Sequence, residues 1–240
     1  MKKDSKMPYY YDDGGGNRIG QFWRSIPAVT RNIIMVNVIM FIATLVNEDF
    51  MVGCFSLFYP ASPHFRWWQC ITHMFMHGGF WHIFFNMYTL FLFGSAVEKT
   101  IGTRKFLVFY FVTGLGAALL HTGVEYLQAQ FYAVGMATGD INAQVAYTNL
   151  LRTPTLGASG AIYGVLIGYA MLYPNSVLTL IFPPVSLKAK WFVIIFAVIE
   201  LVTGITGTAE GVAHFAHLGG MLFGFLLILY WRKTGRLWRY

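Results

Sequence analysis

Apolar windows, each close to the length of a membrane-spanning helix, recur along the 240-residue chain. About 20 mostly apolar residues are needed to cross the hydrocarbon core as a helix. A helix satisfies its own backbone hydrogen bonds where no water is present, which an irregular segment cannot do. We therefore predict an all-α polytopic membrane protein with six transmembrane helices. The windows lie near residues 32–46, 72–94, 106–127, 156–173, 191–206 and 212–231.

The charge distribution predicts how these helices are oriented. Only 11% of the residues are charged, against about a quarter in soluble domains, and the formal net charge is +7. All but Arg66 and Arg152 of the 17 basic residues fall in the two ends or in the loops after the second and fourth windows. Positive charge on short loops marks the cytoplasmic side. Both termini are therefore predicted to be cytoplasmic, and the excess charge indicates topology, with no nucleic-acid partner.

The windows predict one membrane domain without internal repeats. It covers residues 32–231, between a cytoplasmic amino-terminal segment, 1–31, and a basic cytoplasmic tail, 232–240. The first thirty residues hold no apolar core segment, so we expect no cleavable signal peptide. Together with the basic amino terminus and the lack of a transit peptide, this favours a bacterial cytoplasmic membrane.

Two external loops are longer than a turn requires. Residues 47–71 are rich in aromatic side chains, which suit the headgroup interface. Residues 128–154 are polar and could carry short helices. Cys54 and Cys70 fall in or beside the first loop, and we expect two unpaired thiols there because Cys70 stands where the second window begins.

Polar and ionisable side chains occur in three of the predicted spans. Such groups are costly inside a bilayer, so each one needs a reason. On one regular helix, the polar residues of the second span would form two pairs that face different directions, because about 140° separates His77 from His82. The residues are His73, His77, His82 and Asn86 in the second span, Ser159 in the fourth, and His214 and His217 in the sixth.

Glycines beside two of these residues predict a close contact between the fourth and sixth spans. They recur every fourth position after Ser159, and His217 shares a helix face with two more. With Ser159 and His217 at such a contact, a hydroxyl would lie within hydrogen-bond reach of a base, as nucleophilic catalysis requires. The glycines are Gly160, Gly164 and Gly168 in the fourth span and Gly220 and Gly224 in the sixth.

Other interpretations stay open on these residues alone. The serine could be a small side chain tolerated where helices pack, and each histidine could hydrogen-bond a neighbour across the bundle. A metal transporter could line its path with the histidines of spans two and six, but zinc needs three or four converging ligands, and no HExxH motif is present. The co-occurrence of a serine, a histidine and a separate His–Asn pair over three spans favours nucleophilic chemistry.

Four motifs make the chain resemble the rhomboid family of intramembrane serine proteases over nearly all of its membrane part. This resemblance implies a six-helix rhomboid bundle in the lipid bilayer and a serine endopeptidase that cleaves transmembrane segments of other proteins. It implies no metal and no cofactor. The motifs are THMFMHGGFWHIFFNM at 72–87, VEKTIG at 97–102, GASGAIYG at 157–164 and AHLGGMLFG at 216–224.

The resemblance also assigns roles to individual residues. Ser159 corresponds to the nucleophile and His217 to the general base. His82 and Asn86 match the pair that stabilises the oxyanion, together with the backbone N–H of Ser159. The supporting positions are Gly157, which leaves room for the oxyanion, Tyr163, which packs against the catalytic histidine, and His77, which is structural.

The chain departs from the family pattern in its first external loop, and we see no third carboxylate in place to orient His217. Trp68-Gln69 stands where many members have Trp-Arg, so the loop is expected to be held differently. Glu200 and Glu210 lie outside the catalytic pattern, and we expect Glu200 to bond a neighbouring helix without a chemical role. The prediction is therefore a Ser–His dyad. An inactive relative, the remaining alternative, typically lacks the serine or the histidine, and this chain has both.

Overall fold

The computed structural model describes residues 18–179, 184–206 and 211–237. Residues 1–17, Glu210 and residues 238–240 of the predicted segments lie outside this description. In the described part the chain is mostly helical, with one short antiparallel strand pair. The elements are α1 (Arg18–Ser25), α2 (Ala28–Val46), α3 (Glu48–Phe55), α4 (Gln69–Thr72), α5 (Phe80–Thr89), α6 (Ser95–Ile101), α7 (Thr103–Ala137), α8 (Ile141–Arg152), α9 (Ser159–Leu172), β1 (Val177–Thr179), β2 (Ser186–Lys188), α10 (Ala189–Thr206) and α11 (Gly211–Lys233).

Five helices of the described residues are long and apolar enough to cross a membrane. They correspond, in order, to all the predicted windows except the fourth, which is the shorter apolar helix α9. With 14 residues, α9 is about 21 Å long, against about 30 Å of hydrocarbon. A helix of this length is too short to cross the hydrocarbon core by itself. The five are Ala28–Val46, Phe80–Ile101, Thr103–Ala137, Ala189–Thr206 and Ala213–Lys233.

The second span begins later than predicted. It starts at Phe80 rather than at residue 72, because the chain is extended at Met76 (φ −95°, ψ 145°) and at Gly79 (φ 171°, ψ 168°). The prediction that two polar pairs on one helix face different directions is therefore wrong. The two pairs lie on separate helical segments, and the rings of His77 and His82 meet edge to face with their centroids 4.9 Å apart.

Gln69 holds the first external loop together from within. Its side chain is fully buried. Its amide nitrogen donates to the backbone oxygens of Gly53 (3.3 Å) and His64 (3.1 Å), and its amide oxygen accepts from the backbone N–H of Arg66 (2.9 Å). The glutamine therefore supplies an anchor at the position where many family members carry arginine. Cys54 beside it and Cys70 are both free thiols.

The second external loop is almost entirely helical. Helix α7 continues ten residues beyond the predicted end of the third span, to Ala137, and α8 follows, its first turn capped by Asp140. The loop returns to the first one at a bridge in which Leu57 and Thr155 exchange backbone hydrogen bonds of 2.8 and 2.7 Å. This bridge stands directly before the start of α9.

Helices α7, α9 and α11 pack at backbone distance, as the glycine pattern predicts for the fourth and sixth spans. A methyl group at Gly220 would overlap the backbone oxygen of Gly160, and one at Gly224 would lie 3.0 Å from that of Gly164. A methyl group at Gly160 would likewise overlap the side chain of Ala117 of α7. Small residues thus allow three helices to meet at the amino-terminal end of α9.

A buried glutamate ties α2 to the same bundle. Glu98 of α6, only 2% exposed, accepts from the backbone N–H groups of Val29 (3.0 Å) and Thr30 (2.7 Å) and from the hydroxyl of Thr30 (2.8 Å). These donors are free at the start of a helix, where a carboxylate is favourable. The glutamate of the VEKTIG motif therefore caps α2.

Candidate active site

Ser159 and His217 meet where α9 and α11 make their close contact. Ser159 is the first residue of α9, and its hydroxyl oxygen Oγ lies 2.9 Å from Nε2 of His217. This is the length of a good hydrogen bond. The predicted juxtaposition of an alcohol and an imidazole from two distant stretches of chain is present in the structure.

The aromatic ring of Tyr163 packs face to face on the imidazole ring of His217. It lies one turn after Ser159 on α9, and the two rings are stacked, with centroids 4.2 Å apart and planes inclined by 9°. Its hydroxyl donates to Oε1 of Glu200 at 2.5 Å. The family resemblance predicts the contact between the rings of Tyr163 and His217, but not the hydrogen bond from Tyr163 to Glu200.

A carboxylate contacts the far side of the same imidazole. Oε2 of Glu200, from α10, lies 3.0 Å from Nδ1 of His217 and 2.6 Å from Nδ1 of His214. The expectation that no carboxylate is in position to orient His217 is therefore wrong. The separate expectation that Glu200 bonds a neighbouring helix is confirmed. The sequence alone could not give the rotation of α10 about its axis, which decides where this side chain points.

His82 lies beside the serine, across Gly157. Gly157 has φ 135°, and a β-carbon there would lie 3.0 Å from Nε2 of His82 and 3.6 Å from Oγ of Ser159. The backbone N–H of Gly157 donates to the oxygen of His73 at 2.9 Å. A small space is thus kept open between the hydroxyl and an imidazole of α5.

The other two predicted residues of the second span lie on either side of His82 in the sequence. Asn86 is buried one turn beyond His82 on α5. His77 is 1% exposed, and its ring packs edge to face on that of His82. His77 therefore contributes to the placement of His82 without reaching the serine.

A cavity of about 40 Å³ adjoins the serine. This volume accommodates a water molecule. Its lining includes Ser159, His217, Gly157 and His121 of α7. His121 and its neighbour Glu125, whose Oε1 lies 3.4 Å from the imidazole, escaped the sequence reasoning, although ionisable residues inside a predicted span are a signal for function.

The metal-path interpretation finds no support in the described residues. The group of His, Cys, Asp and Glu side chains there whose ligand atoms converge within 4.8 Å is Glu200, His214 and His217. It does not include His73 or His77, which a path along spans two and six would need.

A serine hydroxyl bonded to a histidine, inside a bundle of membrane-length helices, defines the class of integral membrane serine hydrolases. Residues 64–234 match the family model for the Rhomboid domain. The chain therefore belongs to the rhomboid family, and it is a multi-pass membrane protein and a serine protease acting on transmembrane proteins within the membrane.

Curated relatives resemble the chain over most of its length. It is 25% identical to "Rhomboid protease AarA" of Providencia stuartii over 83% of this chain and 71% of that protein. It is 28% identical to "Putative rhomboid protease YdcA" of Bacillus subtilis (strain 168) over 68% of each. It is also 30% identical to "RHOMBOID-like protein 12, mitochondrial" of Arabidopsis thaliana, over 80% of this chain and 55% of that protein.

Proposed function

We propose that Ser159 and His217 hydrolyse peptide bonds in transmembrane substrates. The observation that carries this proposal is the 2.9 Å hydrogen bond between Oγ of Ser159 and Nε2 of His217. Neutral His217 takes the hydroxyl proton as the oxygen attacks the scissile carbonyl carbon, and a tetrahedral intermediate forms. The same imidazole then donates the proton to the amine nitrogen as the C–N bond breaks, which leaves an acyl-enzyme, and water attacks the acyl group with His217 again as base and then acid.

The oxyanion that develops during attack is held beside Gly157. His82 faces this space through Nε2, and the backbone N–H of Ser159 and the side chain of Asn86 complete the proposed set of donors. Loss of one such donor typically lowers the rate by about 10²–10³.

The short length of α9 supports cleavage near the external membrane face. Ser159 opens a helix of 14 residues, so it lies below the membrane surface on the side of the two external loops. A substrate helix must unwind locally to expose its scissile bond there, which favours segments with small residues at the cleavage point. The basic loops and the bacterial relatives support a bacterial cytoplasmic membrane.

Covalent labelling and cleavage test this function together. The purified protein is expected to react with a fluorophosphonate and to cleave a model transmembrane substrate, and S159A and H217A are expected to lose both activities. S95A is the control, because Ser95 is a serine of α6 with a buried hydroxyl and no described hydrogen-bond partner. Cleavage by S159A at the wild-type rate would refute the proposal.

A further inference from the structure

We propose that Glu200 is a positioning residue for catalysis, so that the site operates as Ser159–His217–Glu200 rather than as a dyad. This inference rests on the proposed function. Glu200 does not touch the reacting atoms and acts through His217. Its carboxylate holds Nδ1 of the imidazole at 3.0 Å, on the side opposite Ser159.

The contact selects the ring tautomer that the reaction needs. A carboxylate oxygen only accepts hydrogen bonds, so the proton of neutral His217 lies on Nδ1 and points at Oε2 of Glu200. Nε2 is then free of a proton and accepts the hydroxyl hydrogen of Ser159. In the other tautomer Nε2 would carry the proton, and the serine could not be deprotonated by it.

The contact also places a negative charge beside the cation that forms. Glu200 is 6% exposed, and it accepts hydrogen bonds from three groups, the hydroxyl of Tyr163 and the Nδ1 atoms of His214 and His217. These donors compensate a buried carboxylate in the resting enzyme. When His217 becomes an imidazolium, the bond to Glu200 becomes a charge-assisted one, which is stronger at low exposure.

A purely structural role is the competing explanation, because the same bonds link α9, α10 and α11. E200Q separates the two explanations. The amide oxygen can still accept from the histidines and the amide nitrogen can still donate to the hydroxyl oxygen of Tyr163, but the negative charge is gone. E98Q is a matched control, since Glu98 is 2% exposed and also accepts three hydrogen bonds, from α2 rather than from the active site.

The experiment measures kcat, KM and the pH profile of kcat/KM on a model transmembrane substrate. We expect E200Q to lower kcat by about 10²–10⁴ with KM within a few-fold, and E98Q to keep the kcat of the wild type. The acidic limb of the profile should move to lower pH in E200Q, because an imidazolium without its carboxylate loses its proton more readily. The titratable groups around His217 in this measurement are Tyr163, Glu200, His214 and His121.

E200D retains the charge on a shorter side chain. We expect it to recover part of the lost kcat and to leave the acidic limb between its positions in the wild type and in E200Q, because the shorter side chain holds the charge farther from Nδ1. If E200Q does not fold, as judged by its thermal unfolding in detergent, the pH profile of E200D decides the matter: an acidic limb moved to lower pH supports the proposal, and an unmoved limb overturns it.

The outcomes separate this inference from the function on which it rests. A wild-type kcat and an unmoved pH profile in E200Q, with S159A inactive, would overturn the role of Glu200 and leave the proposed function standing. Cleavage by S159A would refute the function itself, and the inference with it. A fall in kcat without movement of the acidic limb would indicate a structural role only, and would also overturn the inference.

Discussion

At the scale of single residues, the proposed reaction depends on the backbone conformation of Gly157. Its φ of 135° is a conformation that L-residues rarely adopt, and the missing side chain keeps open the space between His82 and the serine oxygen. Glycine is therefore required there for two reasons: it tolerates the positive φ, and it has no side chain to fill the space proposed for the oxyanion.

G157A should lower kcat by about 10²–10³, the usual cost of a lost oxyanion contact. Its methyl group would lie 3.0 Å from Nε2 of His82, in the space proposed for the oxyanion. Strain at this φ adds about 1–3 kcal/mol of destabilisation. Kinetics on a model substrate and thermal unfolding in detergent measure the two effects. G79A is the control, because Gly79 is extended and has no neighbour within 4 Å of an added β-carbon. Unchanged kcat in G157A would contradict the placement of the oxyanion.

The sequence could predict the contacts among Ser159, His217 and Tyr163. The glycines beside the first two, and the motifs around all three, leave few ways for the helices to pack. The contact of Glu200 with His217 could not be predicted. The sequence signal was present, since an ionisable residue inside a span calls for a partner, but helical spacing relates residues only within one helix. The rotation of α10 against α11 follows from packing along the whole interface, which no local pattern encodes.

At the scale of elements, the active site depends on how closely α9 and α11 approach. Gly160 and Gly220 are in backbone contact, so no side chain separates the two helices near Ser159 and His217. The hydrogen bond between serine and histidine spans helices whose distance is set by these glycines. Catalysis and packing are therefore coupled.

G220A should abolish cleavage and destabilise the protein by at least about 1–3 kcal/mol, the usual cost of overpacking. Its methyl group would overlap the backbone oxygen of Gly160, which cannot move without shifting α9. Fluorophosphonate labelling and thermal unfolding measure the loss. In G53A, the matched change in α3, an added β-carbon meets nothing within 4 Å, and both properties should stay at wild-type levels. A fully active G220A would show that the close approach is dispensable.

The element boundaries were predicted unevenly for physical reasons. The first and last spans were found because apolar composition changes sharply at their ends. The start of the second was misplaced because Met74, Phe75 and Met76 extend the apolar pattern back towards residue 72. The pair Gly78-Gly79 was the signal for a break. Helix α7 outlasts its apolar window because residues 128–137 contain no proline and favour helix once out of the bilayer.

At the scale of the whole molecule, the side of the membrane on which cleavage occurs depends on the predicted orientation of the spans. Basic residues predict cytoplasmic termini, and the six predicted spans would then put the two long loops outside. The bridge between Leu57 and Thr155 joins these loops just before α9. The serine therefore faces the side that carries both loops, which is where the proposed cleavage occurs.

The native cysteines offer a test of this orientation. An impermeant maleimide is expected to label Cys54 and Cys70 in intact spheroplasts, because both are partly exposed and lie in or beside the first external loop. In a cysteine-free background, R236C, at an exposed site after α11, should react only after permeabilisation. Burial raises the pKa of the Cys70 thiol, so less of it is thiolate at neutral pH, and its labelling should accelerate as the pH rises. Labelling of R236C in intact spheroplasts would reverse the topology, and cleavage would then belong to the opposite face.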